Sequence, residues 1–400
     1  MMSEVSAAFC ERFGQNPSVV ARAPGRLEIL GNHTDYNEGL VISCAIAHTP
    51  GVAAAAASGD VCTLVSAADL PESRFSIADP GSPIEGDWAN YVKGIVCELR
   101  KRGFDLAPFD MLIDSDIPRS AGLSSSAALE IAVAYAIGAL NGIELPPVEW
   151  ARIGQASENN YVGANTGLLD QLSSVLGKAG HIVACDFRSI TGETRPFSSD
   201  AVFVVANTGV THDLTFDYNE RRMRCEEAAE LVQLRYPDVQ ALRDVSQEML
   251  EACRETLELL TYRRARHIVG EDHRVKAGLS ALGSGDLEAF GQLLFDSHYS
   301  SRHYFENSCR ELDILVELSR SLPGCLGARL SGGGFGGCSI HLVTADEAQL
   351  FADRLATAYK TRTGKKIAPL ICELGAGAEV VFCAANPKAQ PTMEPPCSTT

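Results

Sequence analysis

The sequence predicts an α+β fold in two domains, and three observations lead there. A chain of 400 residues with 46% hydrophobic and 21% charged content can build a full core, and at this length it divides into two compact units. Stretches of period-two apolar alternation and stretches of helical spacing both occur along it. The texture then changes around "TGETRPFSSD", residues 191–200, where strands and short apolar helices give way to long charged helices. Residues 1–195 are therefore read as an N-terminal domain and 196–385 as a C-terminal domain. Residues 386–400, "NPKAQPTMEPPCSTT", are read as a disordered tail, since a polar, Pro-rich segment buries too little to order itself.

The elements follow in order. Residues 4–15 read as a short helix, and "SVVARAPGRLEIL" as a strand broken by Pro24-Gly25. Residues 40–57 and 61–67 alternate or run apolar as paired strands do. "WANYVKGIVCELRKRG", from Trp88, has helical spacing and closes on Gly103. "FDMLIDSDIP" is strand-like; a loop follows, then an apolar helix from about Ser125. Helical patterns run over 147–159 and 167–176, and "HIVACDF" reads as a strand. Beyond the boundary come a strand "AVFVVANTG", charged helices over 218–282, and the helices "DLEAFGQLLFDSHYSSRHYF" and "CRELDILVELSRSL". The unit "GARLSGGGFGGCSIHLVT" reads as strand, Gly loop and strand, with an amphipathic helix over 345–360.

Composition limits the partners. A formal net charge of -17 argues against nucleic acid, whose phosphates require a basic surface, though a local site can still take a nucleotide. Thirteen cysteines are scattered from Cys10 to Cys397 without a CxxC pair, as expected for reduced thiols rather than disulfides or zinc. "MMSEVSAAFCERFG" carries charge too early for a secretory leader, and no apolar run approaches a membrane span. The expectation is a cytoplasmic protein with neither membrane nor nucleic acid as partner.

Two stretches could do chemistry. In "DIPRSAGLSSSAALE", residues 116–130, a strand ends at Pro118, a Gly/Ser loop follows, and a helix begins near Ser125. Small residues let the backbone approach an anion, a helix N-terminus offers free N–H groups, and serine hydroxyls donate to phosphate or ligate a metal. One serine would be an ordinary cap; three after Gly122, followed by Ala127 and Ala128, point to phosphate binding. No Gly-Lys-Ser/Thr closes the loop, so it is not a Walker A sequence. A second Gly-rich stretch, "SGGGFGGCS" at 331–339, lies in the other half, which fits a ligand cleft between the two. The second stretch is "GRLEILGNHTDYNEGLVIS", residues 25–43, where Asn32, His33, Thr34, Asp35, Tyr36, Asn37 and Glu38 crowd between two apolar runs. Such short polar side chains both donate and accept hydrogen bonds.

With these motifs quoted, the chain resembles the galactokinases, in the GHMP superfamily that also includes homoserine, mevalonate and phosphomevalonate kinases. "GRLEILGNHTDYNEG", "PRSAGLSSSAA" and "GARLSGGGFGGC" agree in order and spacing, and "WANYVKG", "GLLDQ", "RRMRCEEA" and "FGQLLFDSH" fill the gaps, over about residues 18–385. The HTDYN run is specific to the galactokinase branch; the serine loop marks the superfamily.

The resemblance implies a two-domain GHMP-kinase fold, with a ribosomal-S5-like N-terminal domain, a ferredoxin-like C-terminal domain and the active site in the cleft. It implies phosphoryl transfer from ATP to the C1 hydroxyl of galactose, with Asp170 beside that hydroxyl and Arg26 beside Asp170. A carboxylate can accept the hydroxyl proton, and an adjacent Arg can offset charge developing on the phosphoryl group. Ser126 and Glu158 match the positions that hold Mg²⁺, hard oxygen ligands as that ion requires. Trp88 and Tyr91 resemble positions near adenine, though helical spacing would equally make them core residues. Ser120, Gly122, Leu123, Ser124, Ser125, Ser126 and Ala127 match the ATP loop. Asn32, His33, Asp35, Gly167 and Tyr218 match the sugar site.

The chain departs from the family at two places. Galactokinases usually have Asn where this chain has Glu28 and Glu where it has Asn32, as though the two had been exchanged. The family Glu contacts the C6 hydroxyl; Asn32 could still bond it, or the loss of the acid could admit a C6 carboxylate, as in galacturonate. Alternatively Glu28 compensates, if strand alternation puts it on the face of Asn32 and Gly31 does not break that parity. Arg119-Ser120-Ala121 also replaces a more glycine-rich stretch. Galactose remains the first expectation and a C6-modified galactose the second. A non-enzymatic sugar sensor is disfavoured because "GLSSSAALE", Arg26 and Asp170 are intact, and another small-molecule kinase because the HTDYN turn and Tyr218 suit a hexose.

Overall fold

Breaks in the strands decide which of three β-sheets each one joins. The computed structural model describes residues 2–68, 70–118, 122–164, 166–210 and 215–384; the expected tail, Arg119, Ser120 and the Tyr218 side chain lie outside the described part. The stretch expected as one broken strand is divided between two sheets. Val19–Arg22 enters a six-stranded sheet ordered Glu379–Cys383, Val19–Arg22, Pro50–Ala56, Phe109–Ser115, Val61–Ser66 and Ser73–Ser76. Only Val61–Ser66 and Phe109–Ser115 run parallel in it. At Pro24-Gly25 the chain turns, and Arg26–Leu30 edges a second, antiparallel sheet with Leu40–Ala45, His181–Asp186 and Thr191–Pro196. Gly25 is needed there: a Cβ would lie 2.5 Å from the Leu123 carbonyl oxygen. The third sheet, ordered Cys325–Ser331, Cys338–Thr344, Ala201–Asn207 and Leu370–Cys372, is also antiparallel.

Alternation in the strands builds a separate core on each face of the first sheet. Val19, Ala21, Val52, Ala54, Met111 and Ile113 face helices Asn90–Lys101, Ser125–Asn141, Pro147–Ser157 and Leu169–Leu176. Val20, Ala53, Ala55 and Leu112 face the opposite way, against Val5 and Phe9 of helix Met2–Phe13. The second and third sheets share a core in which Leu27, Ile29, Ile42 and Ile182 meet Phe203, Val205, Ile340 and Leu342. The charged helices Thr215–Gln233 and Leu259–Ser284 enclose a further apolar cluster. The α+β reading is met. Four strands escaped the sequence: Ser73–Ser76, Thr191–Pro196, Leu370–Cys372 and Glu379–Cys383. Each is short or lies at an exposed edge, and Glu379–Cys383 is exposed throughout, so none shows a buried alternation. Among the described residues every cysteine is a free thiol.

One buried carboxylate joins the long helix Leu259–Ser284 to the turn after Arg26–Leu30. Glu271 Oε2 accepts from the backbone N–H groups of Gly31 and Asn32, both at 3.0 Å, and from Ser297 Oγ at 3.1 Å. Its Oε1 pairs with Arg274 Nε at 2.6 Å. Burial pushes this carboxyl up, but Arg274 and the other positive charges around it outweigh that and hold it well below the usual range. Removing one partner of a buried pair leaves the other charge and its donors uncompensated. Glu271→Ala is expected to lower unfolding stability by about 3–5 kcal/mol, read from urea or guanidinium midpoints.

Candidate active site

Arg26, the first residue of its strand, reaches three segments at once. Its Nε and Nη2 both lie 2.7 Å from Asp170 Oδ1, and its Nη1 donates to the Gly122 carbonyl at 3.0 Å. Asp170 stands in the first turn of helix Leu169–Leu176, and its Oδ2 accepts a short hydrogen bond from Ser124 Oγ. Arg26 is buried, whereas the Asp170 side chain keeps 30% of its surface exposed, so the carboxylate opens toward solvent while its guanidinium does not. Four possible acceptor positions exist on a carboxylate. Arg26 fills two on Oδ1 and Ser124 one on Oδ2, which leaves one on Oδ2 among the described residues.

The helix expected to start near Ser125 runs Ser125–Asn141. Ser124 precedes it in the left-handed region, at φ 55°, with its hydroxyl turned to Asp170 rather than capping the helix. The first N–H groups of the helix therefore remain available to an anion. Leu123 and Ala127 are buried, so only their backbone could meet a ligand; Ser125 is exposed and Ser126 half-buried. The second Gly loop closes on the first from the other half of the chain: a Cβ on Gly122 would lie 2.9 Å from Cys338 Sγ, and one on Gly332 3.8 Å from Arg26 Nη2. The two Gly-rich stretches therefore lie side by side.

Ser126 Oγ lies 3.3 Å from Glu158 Oε1. Glu158 opens a single π turn, Glu158–Val162, a feature often found at functional sites. Its Oε2 accepts from Thr166 Oγ1 at 2.8 Å and Gln171 Nε2 at 3.0 Å. Gln171 also reaches Glu130 Oε2 at 3.1 Å. Burial pushes the Glu158 carboxyl up, with the Asp170 charge adding to it against the pull of Thr166; Glu130, wholly buried, is raised well above its ordinary value by burial and by Glu158. A divalent cation beside Glu158 would relieve this crowding of acids. Among the described residues no group of three His, Cys, Asp or Glu side chains closes a metal shell. Close by, Trp88, Tyr91, Ile84, Asp87, Asn90 and Val162 line an open cavity of about 520 Å³. Burial raises the Tyr91 hydroxyl, with Glu158 and Glu130 next in effect, which sets this cavity beside the Glu158 carboxylate. Trp88 also packs on the core, the other role expected of it.

The polar turn divides into residues that face inward and residues that remain open. His33, at φ 62°, has its Nδ1 3.0 Å from Tyr36 Oη and its Nε2 3.1 Å from the Gly333 carbonyl oxygen; burial pushes it down to about 4, so it is neutral near pH 7. Asn32 is fully buried. Its Nδ2 donates to Glu28 Oε1 and to the Gly332 carbonyl, each at 2.8 Å, and its Oδ1 accepts from Asn307 Nδ2 at 2.9 Å. Asp35 is half-buried, and burial first and the Glu28 charge next push it up to about 7. Gly167 packs directly on it: a Cβ there would fall 1.7 Å from Asp35 Oδ2. Arg329, wholly buried, donates to the Ile29 carbonyl and to Glu28 Oε1, both at 3.0 Å.

Several partners were not read as site residues: Glu130, Gln171, Glu271, Asn307 and Arg329. Gln171 and Arg329 stand inside motifs already singled out, "GLLDQ" and "GARLSGGG", and adjacency to those motifs was the available signal. Glu271 and Asn307 meet the turn from 239 and 275 residues away, a pairing that spacing cannot reveal.

Comparison with known proteins places the chain in a family. The galactokinase galactose-binding signature matches residues 7–56, the GHMP kinases N terminal domain residues 90–178, and the GHMP kinases C terminal model residues 279–361. A galactokinase of Chloroflexus aurantiacus is 40% identical over 382 residues, covering 95% of this chain and 98% of that protein. One of Roseiflexus is 40% identical over 386 residues, covering 96% and 98%. The crystal structure of Lactococcus lactis galactokinase complexed with galactose superimposes with a TM-score of 0.90 at 33% identity, over 94% of this chain and 99% of that one. Kinship over nearly the whole length, in sequence and in fold, settles the family: this chain belongs to the galactokinases, with the two-domain fold of the GHMP kinases.

Proposed function

We propose that the protein, acting in the cytoplasm, transfers the γ-phosphoryl group of ATP to the C1 hydroxyl of galactose, giving α-galactose 1-phosphate and ADP. The observation that carries this reading is the one open acceptor position on Asp170 Oδ2, set beside the N-terminus of the serine helix. Asp170 would take the hydroxyl proton there, while Arg26 holds the carboxylate in place. Charge developing on the phosphoryl oxygens would be met by the N–H groups at the start of Ser125–Asn141. The 520 Å³ cavity at Trp88 and Tyr91 has the size for an adenine base. Ser126 and Glu158 would hold Mg²⁺, which neutralises phosphate charge when bound. Asp35, with Gly167 packed against it, would accept sugar hydroxyls. The relative crystallised with galactose supports that choice of sugar. We also keep the domain boundary at residues 195/196, at the end of Thr191–Pro196 and before the third sheet's Ala201–Asn207, with Glu379–Cys383 pairing back to the first sheet.

The direct test follows ADP release at fixed Mg-ATP with galactose, galacturonate, glucose, N-acetylgalactosamine and homoserine. Galactose should turn over fastest, and Asp170→Asn should lower kcat about 10²–10⁴-fold, the usual contribution of a general base. Fast turnover of galacturonate instead, or of none, would contradict the assignment.

The state of Asp35 gives a second expectation. Its carboxyl titrates at about 7 in the free protein, and hydroxyl donors favour the ionised form. Galactose should therefore bind more tightly as pH rises through 7 and should displace a proton at lower pH. Calorimetry at pH 6 in buffers of different ionisation enthalpy should register that release.

A further inference from the structure

We infer that Glu28, and not Asn32, is the substrate-facing member of their buried pair, with Glu28 Oε2 accepting one hydroxyl of the sugar. This rests on the galactose reading above and assigns a specificity residue within that site. Asn32 has nothing left to offer: both amide hydrogens and the amide oxygen are engaged within the protein, and the side chain has no exposed surface. Glu28 differs. Its Oε1 takes two donors, Asn32 Nδ2 and Arg329 Nη2, but its Oε2 has no hydrogen-bond partner among the described residues. The side chain keeps 5% of its surface, so the buried end has an opening.

The direction of that opening follows from the strand. Arg26 and Glu28 are two residues apart in Arg26–Leu30, and period-two alternation puts them on one face. On that face Arg26 grips Asp170. Glu28 also acts on the Asp35 carboxyl more strongly than any other charge. Glu28 thus borders the space between Asp170 and Asp35. Arg329, held by the Ile29 carbonyl, fixes Oε1 and so turns Oε2 the other way. An unsatisfied carboxylate oxygen in such a position is costly, and a sugar hydroxyl repays it.

The exchange of Glu and Asn therefore leaves an acid bordering the sugar space while the amide serves as its inner brace. They meet although Gly31, at φ 98°, breaks the strand between them: the turn folds Asn32 back onto Glu28.

A cycle between residue and hydroxyl tests the assignment. Wild type and Glu28→Gln are compared on galactose and on the monodeoxygalactoses lacking each hydroxyl other than C1. Wild type should lose about 10–100-fold in kcat/KM for the deoxy sugar whose missing hydroxyl Glu28 receives. In Glu28→Gln that one penalty should collapse while the others persist, with the KM for ATP unchanged. If every penalty is the same in both proteins, Glu28 is a structural brace only and the inference is overturned. Should the glutamine variant not fold, Glu28→Asp keeps the charge for Arg329 but withdraws the oxygen, and the same single penalty should shrink. Wild-type turnover of galactose itself is the separate check on the underlying reading: without it that reading fails, whereas turnover with unaltered deoxy penalties sinks only the role of Glu28.

Discussion

The Arg26–Asp170 ion pair is the contact on which the geometry of the cleft depends. It is made by the first residue of an edge strand and the first turn of a helix 144 residues later, and the same guanidinium holds the Gly122 carbonyl of the serine loop. Strand, helix and loop are thereby fixed to one planar cation, whose several donors in a rigid fork suit it to such a junction. The consequence for chemistry is subtractive. Arg26 and Ser124 occupy all but one acceptor position of Asp170, so under the proposed reaction one position is left for an incoming hydroxyl. Positioning of this kind is most of what a phosphoryl-transfer site must supply.

Behind that contact lies a buried polar network. Glu28, Asn32, Arg329, Glu271 and Asn307 come from four segments and exchange hydrogen bonds while almost wholly buried. Its bonds tie the HTDYN turn to three other segments, although Glu28 Oε2, Arg329 Nε and Asn307 Oδ1 have no partner among the described residues. It also fixes the turn against the second Gly loop, through the Gly332 and Gly333 carbonyls held by Asn32 and His33.

Much of this was legible in the sequence because it is local. The serine helix starting at Ser125, the helix bearing Asp170 and the strand–Gly loop–strand unit all follow from periodicity and small-residue runs. The division of 18–30 between two sheets was not legible, since Pro24-Gly25 signals a break but not where the chain goes next. Asn32 was expected to face the sugar because motif position alone was available. What turns it inward is the carbonyl of Gly332 and the carboxylate of Glu28, the first of which lies 300 residues away. Glu130 was hidden for a different reason: it is a lone acid within an apolar helix, and only its bond to Gln171 ties it to Glu158.

The most direct test of the account is the identity of the bond that forms. Phosphorus-31 NMR of a reaction containing the protein, Mg-ATP and galactose should show one new sugar phosphate whose phosphorus couples to the anomeric proton in the α configuration. A phosphate on any other carbon would contradict the placement of C1 at Asp170. Inorganic phosphate with no sugar phosphate would contradict the transfer itself.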